Sequence, residues 1–342
     1  MRPFLYISTF LAAACGAQAS GGHTQPPIRN IFTFPKNTFI ENIAVRANSN
    51  LVITSLSVPT LFSINPTLPN ATAPVIYTFP NATGISGIAE ITPDLFALVT
   101  GVWDLANTRA ILGSLAIWTI DFTTTKPPNS APKVKFITTV PNSTVLNGIA
   151  AHPSNPRLLL AADSALGAVW RVDLATGAHD VAFSSPLLAP TSEGHLGING
   201  LKAAGEHVYF TNSAQGLLGR VKIDREGGPK GEVEVLAKAA EAGADVVYDD
   251  FALDFSFSKR GKDPKGVWIA SHPSYAVRVA LAGAGAGGQW VVNDTGKLLN
   301  PTSAALGRGS GRQERTLYVT NGGEFVGADL VNEGVVAVDL GQ

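Results

Sequence analysis

Asn147-Gly148-Ile149-Ala150 is followed about ten residues later by the apolar run 158–163, which closes on Asp163, and this pairing recurs along the chain. Its first part (polar, small, apolar, Ala) also reads Glu41-Asn42-Ile43-Ala44, Ser86-Gly87-Ile88-Ala89 and Asn199-Gly200-Leu201. It degenerates to Asp250-Phe251-Ala252-Leu253 and Thr302-Ser303-Ala304-Ala305. Successive copies stand 45 to 61 residues apart. The second part recurs at 51–55, 95–100, 208–212, 267–271 and 317–321, each closing on a small polar residue such as Ser55, Asn212 or Asn321. A third apolar run follows, often ending in Asp (Asp121, Asp173, Asp224, Asp339), and a fourth precedes the next copy. Four short strands per repeat, with turn residues between them, describe a propeller blade. Six copies predict an all-β, six-bladed β-propeller. The sixth copy ends at its third run near Leu340, while residues 29–34 form a fourth-type run before the first copy. The N-terminal strand is therefore expected to complete the last blade and close the ring without an open edge. A β-sandwich would not repeat at this period.

The 342 residues carry 25 Lys+Arg against 26 Asp+Glu, a net charge of −1. That balance gives no electrostatic footprint for nucleic acid. Only 15% of residues are charged, against about 25% in an average soluble protein. Arg2 precedes an apolar run at 4–14 and then Ala17-Gln18-Ala19, the pattern of a secretory signal peptide cleaved after Ala19. Residues 1–19 are thus expected to be a leader and 20–342 a single propeller domain. The run is too short for a membrane span. The only cysteine, Cys15, lies in the leader, so thiol catalysis and cysteine-based metal sites are excluded from the rest. Asn70, Asn81, Asn142 and Asn293 begin N-glycosylation sequons, consistent with a secreted or lumenal glycoprotein. A monomer or weak oligomer is expected.

In a propeller the first strand of each blade lines the axis. The loops before that strand and between the second and third strands share one face. The longest insertions, 101–113, 184–198 and 322–334, fall there and bring Val102, Trp103, Leu105, Leu187, Leu188, Phe325 and Val326 over the channel mouth. They read as satellite packing or as a pocket lid, and their common face favours the lid. The polar residues opening the six first strands are Glu41, Ser86, Asn147, Asn199, Asp250 and Thr302. Such oxygen donors suit Ca or Mg rather than zinc. Alternatively, the Asn-Gly pairs are turn residues that tolerate positive φ. His195 and His272 fall on mouth-face loops, as general acids or bases or as solvent-facing loop residues. There is no Gly-x-Ser-x-Gly elbow and no phosphate loop or dinucleotide fingerprint.

This layout, with Asn147-Gly148 and Asn199-Gly200-Leu201 opening successive blades, resembles the SMP-30/gluconolactonase-like superfamily of six-bladed propellers. The resemblance implies a divalent ion held by a Glu, two Asn and an Asp, which map onto Glu41, Asn147, Asn199 and Asp250. It departs at two points: the family's Glu is followed by Gly-Pro, here Asn42-Ile43, and its Asp by Gly, here Phe251. Within the superfamily the chain looks most like a fungal secretory branch that includes hetero-Diels–Alderases. These join a tropolone-derived quinone methide to a humulene-type terpene. The resemblance implies a cycloaddition between small apolar substrates, requiring no cofactor, in a cavity that holds both partners near their reacting geometry. His195, His272, Asn212 or Trp103 would polarise or stack on the diene, and Phe251, Tyr275, Phe325 and Asn321 would line the pocket. The alternatives are a metal-dependent lactonase or esterase, in which Asp250 and the ion activate water, and a non-catalytic binding propeller.

Overall fold

Runs of Val, Ile, Leu and aromatic residues bounded by Gly, Pro, Asn and Asp form antiparallel strands throughout the computed structural model, which describes residues 24–123, 131–255, 263–283 and 285–341. The expected leader, 1–19, lies outside the described residues. Six four-stranded sheets follow one another around a ring. Their innermost strands are Ile40–Val45, Gly84–Thr92, Leu146–His152, Ile198–Ala204, Val247–Asp254 and Pro301–Leu306. In blade six the strands Pro301–Leu306, Thr316–Asn321 and Gly334–Asp339 are completed by the N-terminal strand Ile28–Thr33. Ile28 pairs with Val338 and Thr33 with Gly334. The ring closes as expected from the sequence.

Every joint between neighbouring blades holds its own apolar cluster. Val52, Leu61, Phe79, Ile88 and Phe96 fill the joint of blades one and two, and Leu160, Val169, Leu201 and Phe210 that of blades three and four. Each sheet thus buries both faces, which accounts for the small share of charged residues.

The repeated motif is a β-bulge. In blade three Leu146 pairs with Asp163 and Ile149 with Ala161, so Asn147 and Gly148 together oppose one residue of the partner strand. The pairs Glu41-Asn42, Ser86-Gly87 and Asn199-Gly200 do the same. A bulge of this kind bends the strand and re-aims its side chains. Gly148 has no positive φ, so the turn-pair explanation fails. A Cβ there would lie 2.5 Å from Leu201 N and 2.7 Å from Asn199 O, and glycine serves because the next blade's backbone approaches this closely.

In blade five Tyr248 pairs with Ser271 and Phe251 with Ile269, so the bulged pair is Asp249-Asp250. The copy starting at Asp250 is one residue out of register, and such a slip exchanges the faces of all its side chains. Phe251 takes the apolar place of Ile149 and Leu201 and is fully buried in the joint of blades four and five.

Hydroxyls stitch the bulges together across the joints. Thr54 donates to Ser86 O at 2.8 Å, Ser86 to Leu146 O at 2.7 Å and Ser164 to Ile198 O at 2.5 Å. Ser213 donates to Tyr248 O at 2.8 Å and Thr302 to Ile40 O at 2.9 Å. These bonds satisfy carbonyls that the bulges leave unpaired. No helix among the described residues is long and apolar enough to cross a membrane.

The channel mouth as candidate active site

The bulges aim two tiers of side chains at the axis. The upper tier, from the first residue of each bulge, includes Glu41, Asn147, Asn199 and Asp249. The lower tier holds Asn42, Asp250 and Ser303, in the place that glycine takes in blades two, three and four.

Asp249 is engaged by His272, whose Nε2 lies 2.9 Å from its Oδ2, while His272 Nδ1 lies 3.4 Å from Asn300 Oδ1. His272 is wrapped by protein yet not sealed off, its side chain 29% exposed against 15% for Asp249. Burial pulls the imidazole pKa down, but the hydrogen bond and charge of Asp249 outweigh it and leave His272 above its ordinary value. Glu41 stands well above the usual carboxylate range, first through burial and then through the charges of Asp249 and Asp250. A carboxyl so placed favours its neutral form and can donate a hydrogen bond. The mouth therefore combines a neutral acid with an imidazole biased toward its cation.

The divalent ion implied by the resemblance can be tested against these donors. The four mapped residues do not form one set. Asp250 belongs to the lower tier, where Lys202 Nζ lies 2.6 Å from its Oδ1. Asp249, the residue in register, is held by His272. Asn199 Nδ2 donates to Ser213 Oγ at 2.9 Å, and its buried Oδ1 lacks a partner among the described residues. A dication here would meet an ammonium and an imidazole where it needs unshared carboxylates. The residues as placed do not fit the ion.

The remaining site expectations separate clearly. Asn212 is fully buried, and its Nδ2 donates to Leu187 O at 3.0 Å and Ala189 O at 2.9 Å while Oδ1 accepts from Gln215 N. It clasps the 184–197 loop and presents nothing to a substrate. Asn321 does the same for the loop before blade six, through Lys297 O and Leu299 N. Phe251 faces the core. Tyr275 is buried in the same joint, its hydroxyl donating to Asp245 Oδ2 at 3.0 Å. Trp103 packs against the joint of blades two and three, its Nε1 buried without a partner among the described residues. His195 sits on the 184–197 loop with Nδ1 2.8 Å from Thr191 Oγ1 and 3.1 Å from Ser192 Oγ.

The insertions in blades two and six fold as small hairpins, Trp103–Asp104 with Arg109–Ala110 and Glu324–Val326 with Asp329–Val331. On the mouth-face loops Ile111, Leu112, Leu166, Phe325 and Val326 are exposed, whereas Leu188 is fully buried. The four sequon residues Asn70, Asn81, Asn142 and Asn293 are all exposed. Sequence reasoning missed Asp249 and Lys202. The apolar-Ala pair shared by Ile43-Ala44, Ile88-Ala89, Ile149-Ala150 and Phe251-Ala252 would have set the blade-five register.

Comparison with known proteins adds two kinds of finding. A regucalcin from Agrobacterium tumefaciens, described as a calcium-binding protein, superposes with a TM-score of 0.57 at 16% identity, covering 89% of this chain and 90% of the other. The chain has the fold of the regucalcin-type propeller. A candidate hetero-Diels–Alderase of Sarocladium schorii is 27% identical over 324 residues, 86% of this chain and 78% of the relative. A second, from a Phoma species, is 25% identical over 347 residues, 94% of each chain. No protein-family model matches the chain.

Proposed function

We propose that this propeller catalyses a hetero-Diels–Alder cycloaddition at the channel mouth, with Glu41 as the hydrogen-bond donor to the oxygen of the heterodiene and the His272 imidazolium, held by Asp249, as the positive charge beside it. The observation that carries the reading is the Asp249–His272 pair, 2.9 Å long, beside the neutral-leaning Glu41. Donors aimed at a carbonyl oxygen withdraw electron density from the diene and stabilise the charge that gathers there in the transition state. One carbon–oxygen and one carbon–carbon bond form and no atom leaves, so the site needs no nucleophile. The polar floor takes the oxygenated end of one partner, and the exposed apolar residues of the rim suit the hydrocarbon partner. The two named relatives support this reaction class. The resemblance read from the sequence extends the proposal to a tropolone-type quinone methide and a terpene as substrates, and the expected leader extends it to a secretory route.

The same imidazole–carboxylate pair also favours a second reading, a lactonase in which His272 takes a proton from water. Incubating purified protein with a quinone-methide precursor and a humulene-type terpene decides between them by chiral chromatography of the adduct. A single enantiomer formed faster than without protein supports cycloaddition. Racemic adduct at the uncatalysed rate, with turnover of gluconolactone, supports the second reading instead.

A further inference from the structure

Lys202 belongs to no motif in the sequence, yet its ammonium reaches the axis. It follows Asn199 on the inner strand of blade four and places Nζ 2.6 Å and 2.7 Å from the two carboxylate oxygens of Asp250. The Asp250 side chain is only 2% exposed, while that of Lys202 keeps 25%. Asn42 Nδ2 donates to Asp250 Oδ2 at 2.9 Å. Ser303 Oγ lies 3.2 Å from the same oxygen and 3.1 Å from Asn42 Oδ1. Lys202 Nζ also stands 5.4 Å from the centre of the Phe251 ring, a weakly attractive arrangement for a cation. The four polar residues come from blades one, four, five and six, so their contacts cross the channel and form its floor.

We propose that Lys202 is the resident cation of the propeller axis: its ammonium neutralises Asp250 directly, and Asn42 and Ser303 complete the hydrogen bonding of that carboxylate, in the place a hard divalent ion would otherwise take. A carboxylate, an amide oxygen and a hydroxyl are ligands of the kind calcium takes. A lysine ammonium offers three hydrogen-bond donors in place of the ion. Its removal would leave a buried carboxylate without compensation, which is strongly destabilising, and would open a space lined by oxygen. The inference concerns the charge at the channel floor and holds whichever reaction the mouth performs.

The test uses metal alone and reads stability and metal content. Wild-type protein, stripped with EDTA and then titrated with calcium or magnesium chloride, is expected to keep its melting temperature and to retain no stoichiometric ion by elemental analysis. Lys202→Ser is expected to melt lower without metal and to regain stability with millimolar calcium, since binding to the folded state alone raises its stability. The double variant Lys202→Met/Asp250→Asn is expected to fold and to ignore calcium, which assigns the gain to the Asp250 oxygens. A stoichiometric ion in the wild type overturns the proposal. So does a Lys202→Ser protein that is folded but blind to calcium, or one that stays unfolded with calcium while the double variant folds.

Discussion

Replacing Glu41 by Gln keeps a neutral donor in place and removes a titration. Because the folded state holds the Glu41 proton more tightly than the unfolded chain does, its contribution to stability is complete below the ordinary value of 4.5. It is lost as pH rises toward the elevated folded value. The melting temperature of Glu41→Gln relative to wild type is thus expected to climb from acid to neutral pH, as scanning calorimetry would show. His272 carries the same sign, with its contribution complete below 6.5 and lost above its raised folded value. Turnover that depends on both protonated groups should fall on the alkaline side. For His272→Gln, which removes the positive charge beside the reacting oxygen, the expected loss in kcat is about 10²–10³-fold, with an unchanged circular dichroism spectrum.

At the level of single strands and loops, the bulge is the device that makes the site. Gly148→Ala pushes a methyl group into Leu201 N and Asn199 O of the next blade. Backbone cannot yield as a side chain would, so a loss of about 1–3 kcal/mol or more is expected in denaturant titration. Asn212→Ala strips the Leu187 and Ala189 carbonyls of their donor, at a cost of about 1–3 kcal/mol. Limited proteolysis should then cut the 184–197 loop faster. The blade count, the ring closure and the importance of the six strand openings were legible because each copy repeats a polar-small-apolar pattern. Blade five was misplaced because Asp249-Asp250 offers two equivalent carboxylates and Phe251 disguises the apolar position. The roles of Asn212 and Asn321 were hidden for another reason: a buried amide clasping a loop and one facing a substrate look identical in sequence. Lys202 was invisible because its partner Asp250 lies on another blade, and the other groups around that carboxylate come from two more.

Across the whole molecule, six separate clusters and a girdle of hydroxyl bonds make each blade depend on both neighbours. The pairing of Ile28–Thr33 with Gly334–Asp339 joins the two ends of the chain. Contacts between residues so far apart in sequence close slowly, because the loop entropy is lost before the contact forms. During synthesis Ile28–Thr33 must wait, unpaired, until Gly334–Asp339 has left the ribosome. A circular permutant that links Ile28–Thr33 to Gly334–Asp339 through a short loop and opens the exposed 67–70 turn of blade one would make this pairing local and hand the long wait to Val75–Thr78 instead. Its equilibrium stability should stay close to that of the parent, while stopped-flow refolding should reveal a different slow phase.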